Sequence, residues 1–331
     1  MILPAIVTAG DLQAAKAVRG QSKVYLEVGG RSLVAHVVAA LQSVPEISEV
    51  WVVGDAARLQ EELCGESADL ELTKALHVVE QHRNLYENGW QTYRRLLPGA
   101  GPEGRDPEPA DEHRPVLFLS ADLPFATPQE ISAFVRQALA LDCDYAAGLV
   151  EAEALRDFVK REDGPGIRMA YFNLREGRFR QSNLHLIRPA RVRNRHYLEE
   201  MYEHRYQKEL GSIISLAWRL LRNEKGGFAV LAYYLLVHVA GLADRLRWVR
   251  VAGALRRFVP SARFERGCGA LLGARFQFVV TRAGGCAVDI DNERDYAASA
   301  RHFEAWRRAQ RERAERIYGP LPLPSAGEAT R

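Results

Sequence analysis

Cysteine is scarce in this chain and poorly placed for chemistry. The four present, Cys64, Cys143, Cys268 and Cys286, never fall in a CxxC spacing. That argues against both a zinc cluster and a disulfide framework, and unpaired thiols suit a reducing compartment. An excess of either charge is missing too. With 45 Lys+Arg against 42 Asp+Glu the formal net charge is only +3, which implies no nucleic-acid partner. Met1 leads straight into an apolar run without the basic n-region of a signal peptide, so a cytoplasmic protein is expected. Long apolar runs are nearly absent. Only Gly226 to Ala243 continues for eighteen residues with no charge beyond His238, and it contains three glycines. It is followed by a basic, amphipathic helical pattern over Arg245–Val259. A helical hairpin packed on the domain or on a second subunit is the first expectation for this stretch. A helix lying on a membrane surface is the second, and a true span the last.

What is present is an alternation of strands and helices. Strand patterns cover Ala5–Thr8, Val50–Val53, Leu76–Glu80, Val116–Ser120 and Tyr145–Val150, and return at Phe276–Thr281 and Cys286–Ile290. Helical spacing covers Ser32–Leu41, Ala56–Cys64, Leu85–Leu97, Pro128–Leu141 and Glu293–Ile317. Such alternation predicts an α/β fold with a doubly wound, mostly parallel sheet. The core is expected to comprise 1–189 and 268–300, with a helical insertion at 190–267 and a C-terminal helix and loose tail at 301–331. Between Pro98 and Pro115 the chain is rich in Pro, Gly and acids, which reads as a mobile surface excursion. From Arg245 to Arg266 there are seven arginines and one acid, Glu265, a local basic patch suited to phosphates or anionic lipid.

The candidate chemistry sits at strand ends. Ala9-Gly10 follows the first strand, where a glycine lets backbone amides approach phosphate oxygens. Lys23 lies thirteen residues on and can place a point charge on a triphosphate. Asp122 closely follows the apolar run Val116–Ser120, so it is displayed at the sheet's edge. Magnesium favours one or two carboxylates together with phosphate oxygens and water. Val288-Asp-Ile-Asp291 offers the second carboxylate, since strand alternation would point Asp289 and Asp291 to one face.

Four segments in order carry a resemblance: Pro4–Gly10, Lys23–Leu33, Leu117–Pro124 and Val288–Tyr296. Together they resemble the nucleotidyltransferases of the molybdenum-cofactor guanylyltransferase-like group, whose Rossmann core is GT-A-like. The resemblance implies metal-dependent transfer of a nucleoside monophosphate from an NTP to a phosphorylated acceptor such as a sugar or polyol, with release of pyrophosphate, and the basic, apolar helical insertion adds a lipid-precursor phosphate to the acceptors expected. It implies Mg2+ or Mn2+ as cofactor, CTP or GTP as nucleotide, and Lys23 and Asp122 as catalytic residues. Ala9, Gly10 and Lys23 would bind the triphosphate; Asp122 and Asp289 would hold the metal, with Asp291 the substitute for the second position. The family's Gly-x-Gly-x-Arg after the first strand is here Gly10-Asp-Leu-Gln-Ala-Ala-Lys-Ala-Val-Arg19, so Lys16 or Arg19 stands in for the arginine.

For the acceptor, the basic run from Lys160 to Pro189 reads as a hairpin ending near Asn183, with Arg161, Arg168, Arg180 and Asn183 as the expected contacts. For the base, Asn84 in the turn Gln81-His-Arg-Asn84 and Asn88 on the next helix are expected to read polar edges, with a simple helix cap as the competing role. The helical insertion suggests an anionic membrane surface or a homodimer as its partner. Two other functions fit the same residues: a GT-A glycosyltransferase, which would release a nucleoside diphosphate, and a catalytically silent nucleotide-binding protein.

Overall fold

The computed structural model describes residues 1–10, 17–66, 68–159, 166–195, 239, 248 and 256–321. Its organising element is β1 (Leu3–Thr8), whose residues are apolar on both faces, as a central strand of a parallel sheet requires. Leu3, Ala5 and Val7 point to one face and Ile6 to the other. β1 pairs in parallel with β4 (Ile47–Gly54) on one side and β6 (Val116–Ser120) on the other, and β4 pairs with β5 (Ala75–Glu80). Beyond β6 lies β9 (Gly177–Ile187), which runs antiparallel between β6 and β7 (Tyr145–Glu151). β10 (Phe276–Thr281) closes that edge, and the full order is β10-β7-β9-β6-β1-β4-β5. β8 (Phe172–Leu174) pairs only with β9. A short β2 (Glu27–Val28) and β3 (Arg31–Ser32) form a separate hairpin.

Helices cover both faces. α1 (Leu33–Gln42) starts where the Ser32 hydroxyl accepts from the Ala35 amide, and α2 (Ala56–Cys64) where Asp55 accepts from Arg58. α4 (Pro128–Ala140) begins with proline at its first turn. These three pack with the Leu3/Ala5/Val7 face, whereas α3 (Leu85–Leu96) brings Tyr93 to Ile6, Val53 and Val116 on the other. This is the doubly wound α/β arrangement that the alternation predicts. α5 (Ser261–Leu272) flanks β10, with Glu265 accepting from the amide of Phe278. The 26-residue α6 (Glu293–Tyr318) buries Phe303 and Trp306 against Phe125 and Phe158.

Three expectations are corrected. Cys286–Ile290 is not a strand: a 3-10 turn, Gly285–Ala287, leads into an irregular stretch, because the segment packs across the strand ends instead of beside an open edge. Gly285 is the reason, since a side chain there would put its Cβ 1.8 Å from the Phe125 carbonyl oxygen. The run from Lys160 to Pro189 does turn back on itself, but at Arg175-Glu176, and β9 then passes straight through Asn183 to Ile187. The Pro98–Pro115 excursion is pinned. Asp111, with a side chain 2% exposed, takes ion pairs from Arg105 at 2.8 Å and Arg114 at 3.1 Å. The carboxylate supplies the ordering that the segment's lack of apolar residues denies it. The helical pattern of Asn194–Phe258, including Gly226–Ala243, lies almost wholly outside the described residues. Among the described residues no helix is long and apolar enough to cross a membrane.

Candidate active site

In an open parallel sheet the ligand crevice lies beyond the carboxyl ends of the strands where the strand order reverses. Here the chain winds from β1 outward through β4 and β5, then returns to the other side of β1 at β6. The reversal therefore falls between β1 and β6, the two strands that are followed, two residues on, by Gly10 and by Asp122.

Asp122 is nearly buried, its side chain 3% exposed. One carboxylate oxygen receives a short hydrogen bond from the Ser120 hydroxyl and the other the ammonium of Lys23 at 2.5 Å. Its carbonyl accepts from the Ile290 amide at 3.3 Å, which ties the end of β6 to the segment carrying the other two acids. Asp122, Asp289 and Asp291 each place an oxygen within 4.8 Å of the others. Thus the two distant acidic motifs meet, although the second sits on a loop.

Two cations answer the three carboxylates. Lys23, in the 3-10 turn Lys23–Tyr25, also reaches Asp291 at 2.9 Å. Burial would lower its pKa, but Asp122 and Asp291 more than offset that and hold the ammonium above the ordinary lysine range. Arg180, the fourth residue of β9, donates to Asp289 at 2.6 Å and to the Ala287 carbonyl at 2.7 Å. Even so, burial, then Asp122 and Asp291, push Asp289 up to about 6. Asp291 is likewise disfavoured by burial, yet the charge of Lys23 holds it below the usual carboxylate range. The cluster carries more negative charge than its own cations neutralise. Hard oxygen donors crowded in this way fit a divalent ion such as Mg2+ or Mn2+.

Gly10 is required for space. A Cβ there would stand 2.5 Å from Nδ2 of Asn88 and 3.2 Å from Oε1 of Gln81. Asn88 is buried on α3, with Oδ1 accepting the His82 amide at 2.5 Å. Asn84 caps α3 by accepting from Glu87, while its buried Nδ2 has no partner among the described residues. Arg19 adopts φ 53° beside Gly20 and lays its guanidinium over the Tyr296 ring, 4.9 Å from the centroid. Arg168 is exposed, and Asn183 is half-buried on β9; neither bonds to the three acids. Lys16 and Arg161 lie outside the described residues.

A family model, the MobA-like NTP transferase domain, matches residues 5–259. The chain belongs to that family. A 2-C-methyl-D-erythritol 4-phosphate cytidylyltransferase from Chlorobium luteolum is 26% identical over 117 residues, which is 35% of this chain and 46% of that relative. The chain thus matches about half the length of this curated relative. A hypothetical transferase from Thermus thermophilus superposes with a TM-score of 0.52 at 24% identity, over 89% of this chain and 99% of its own. That likeness concerns the fold. Within this MobA-like domain, sequence reasoning missed Ser120, which holds one oxygen of Asp122, although it stands two residues before the acid. It also missed Glu130. This fully buried carboxylate accepts from the Thr281 hydroxyl at 2.8 Å and from the amides of Gly284 at 3.0 Å and Cys286 at 3.1 Å. Its only sequence signal is an acid in the first turn of α4.

Proposed function

We propose that this MobA-like protein is a metal-dependent nucleotidyltransferase. It would transfer a nucleoside monophosphate from an NTP to a phosphorylated small-molecule acceptor and release pyrophosphate. The observation that carries this reading is the meeting of Asp122, Asp289 and Asp291 with Lys23 at the strand-order reversal. An acceptor phosphate oxygen attacks the α-phosphorus in line. The new bond forms there as the bond from the α-phosphorus to the bridging oxygen breaks, and pyrophosphate leaves. The nucleophile is already ionised, so the chemistry needs positioning and charge neutralisation more than a general base. Lys23 neutralises the triphosphate and the amides around Ala9-Gly10 approach its oxygens. Asp122, with Asp289 or Asp291, would hold Mg2+ or Mn2+. When bound, that ion supplies Lewis-acid stabilisation of the phosphate charge.

Base recognition is assigned to Asn84, whose buried Nδ2 has no partner among the described residues, and to Asn88, which lies against Gly10. CTP is the first nucleotide to test, since the curated relative is a cytidylyltransferase, and GTP is the second. Arg168, Asn183 and Arg161 remain acceptor contacts in this reading, with Arg180 shared between Asp289 and the acceptor. Lys16 or Arg19 completes the phosphate loop. The molybdenum-cofactor guanylyltransferase-like group is the specific affiliation proposed, in the cytoplasm. The segment 190–267 serves as an inserted helical unit that meets a second subunit or an anionic membrane. The helix α5, unbroken from Ser261 to Leu272, crosses the boundary at 267 and joins that unit to the core. The deciding experiment screens the four NTPs against phosphorylated sugars and polyols for pyrophosphate. Asp122→Asn should reduce release at least about a thousandfold; unchanged release would refute the mechanism. Nucleoside diphosphate as the product would favour a glycosyltransferase.

A further inference from the structure

Lys23 holds two of the three carboxylates that could hold a metal. Its ammonium lies 2.5 Å from one oxygen of Asp122 and 2.9 Å from one of Asp291, two of the three carboxylates that converge within 4.8 Å. The remaining oxygen of Asp122 is engaged by Ser120. No oxygen of Asp122 is therefore uncommitted, and a cation that ligates this acid on the Lys23 side must first displace the ammonium. The geometry points to Lys23 as an internal counter-ion of the acidic triad, exchanged for the metal when the nucleotide arrives. This inference rests on the metal-dependent reading above and adds an order to it.

The physical case has three parts. First, the two ions compete for the same oxygens, so the ammonium raises the cost of binding a divalent ion alone. Second, the lysine stem is flexible and its charge is a compact point, so the ammonium can leave without carrying the backbone with it. Lys23 also begins a short 3-10 turn that precedes the β2–β3 hairpin, and its side chain is partly exposed, 19%. Third, a released ammonium needs another anion, and the triphosphate is one. Metal and nucleotide thus enter as a coupled pair, the carboxylates taking the metal while the phosphates take the lysine. Arg180 stays with Asp289, because its second bond, to the Ala287 carbonyl, anchors it to the loop. Such coupling is reciprocal in binding: whatever factor the nucleotide adds to metal affinity, the metal adds to nucleotide affinity.

The test is Mn2+ binding followed by electron paramagnetic resonance, without nucleotide and with a non-hydrolysable NTP analogue. Wild-type protein should bind Mn2+ weakly alone. Lys23→Met should bind it at least about tenfold more tightly without nucleotide, since charge-assisted bonds no longer oppose the metal. The same variant should lose most of the coupling between metal and analogue. Lys23→Arg, which keeps the charge, should stay as weak as the wild type. Where Lys23→Met does not fold, Lys23→Gln serves, as it can still hydrogen-bond Asp122 and Asp291 without a charge. If Mn2+ binds the wild type and the neutral variant equally, the exchange is overturned while the metal-dependent reading stands. If Mn2+ binds neither form, even with the analogue, it is the metal-dependent reading that fails.

Discussion

Replacing Asp289 with asparagine should stabilise the metal-free protein at neutral pH, although it removes a group assigned to the site. Burial and the neighbouring charges of Asp122 and Asp291 raise Asp289 from 3.8 to about 6 despite its bond to Arg180. A carboxyl whose folded pKa lies above its unfolded value favours the folded state when protonated. Its contribution is fully present below the unfolded pKa and is lost as pH rises through about 6. At pH 8 the ionised group therefore costs on the order of 1–3 kcal/mol relative to its neutral form. An asparagine in its place would mimic the neutral form at every pH. Thermal melts in chelator should then show Asp289→Asn more stable than wild type by a few degrees at pH 8. The gap should close as pH falls from 7 toward 4. Adding Mn2+ together with a non-hydrolysable NTP analogue should reverse the ranking, because ligand bound to the native state stabilises only the protein that binds it. A variant that is less stable in chelator at pH 8, or a gap that ignores pH, would refute the electrostatic account of the triad.

Two further substitutions test the scaffold around the site. Glu130→Gln keeps the shape of a side chain that accepts from Thr281, Gly284 and Cys286, but turns a donor toward those donors. It should lower stability by about 2–4 kcal/mol in chemical denaturation, and raise the KM for the metal more than that for NTP; equal effects on both would leave Glu130 a purely structural residue. Gly10→Ala should weaken NTP binding about tenfold or more by calorimetry, because the new Cβ meets the Asn88 amide at 2.5 Å. Asn88→Ala removes that obstacle, so the double variant should bind better than the sum of the two single losses implies. Strict additivity would show that Gly10 acts through something other than Asn88.

The layout of the sheet was legible because its strands are short apolar runs set between amphipathic helices, and parallel strands buried on both faces leave that mark. Val116–Ser120 and Ala56–Cys64 fall on the elements β6 and α2 without a shift. The antiparallel insertion of β9 between β6 and β7 was not legible. Strand order depends on which edges find each other in space, and the Phe172–Ile187 hairpin reads the same whether it is peripheral or central. The second acidic motif shows a different limit. Strand alternation put Asp289 and Asp291 on one face, and both do meet Asp122, yet the segment is irregular. What brings them there is tertiary: the close seat of Gly285 on Phe125, the Ile290–Asp122 backbone bond and the Glu130 clamp. None of these has a local sequence signature. Arg180 likewise reads from the sequence as an acceptor contact, and only the fold sets it beside Asp289.

Those three ties also explain why the altered glycine loop is compatible with an intact site. The loop after β1 contributes space at Gly10, and Lys23 beyond it pairs with Asp122 and Asp291, but the backbone that carries the acids is positioned from elsewhere. The acids are fixed by the contact of two other segments, the end of β6 with its continuation to Phe125 and the stretch from Gly284 to Asp291. Asp122 sits on the first and shares its carbonyl with the second. A change in the loop therefore alters how phosphates are held without moving the carboxylates. A change at Glu130 or Gly285 would do the reverse, displacing Asp289 and Asp291 while leaving Gly10 and Asn88 where they are.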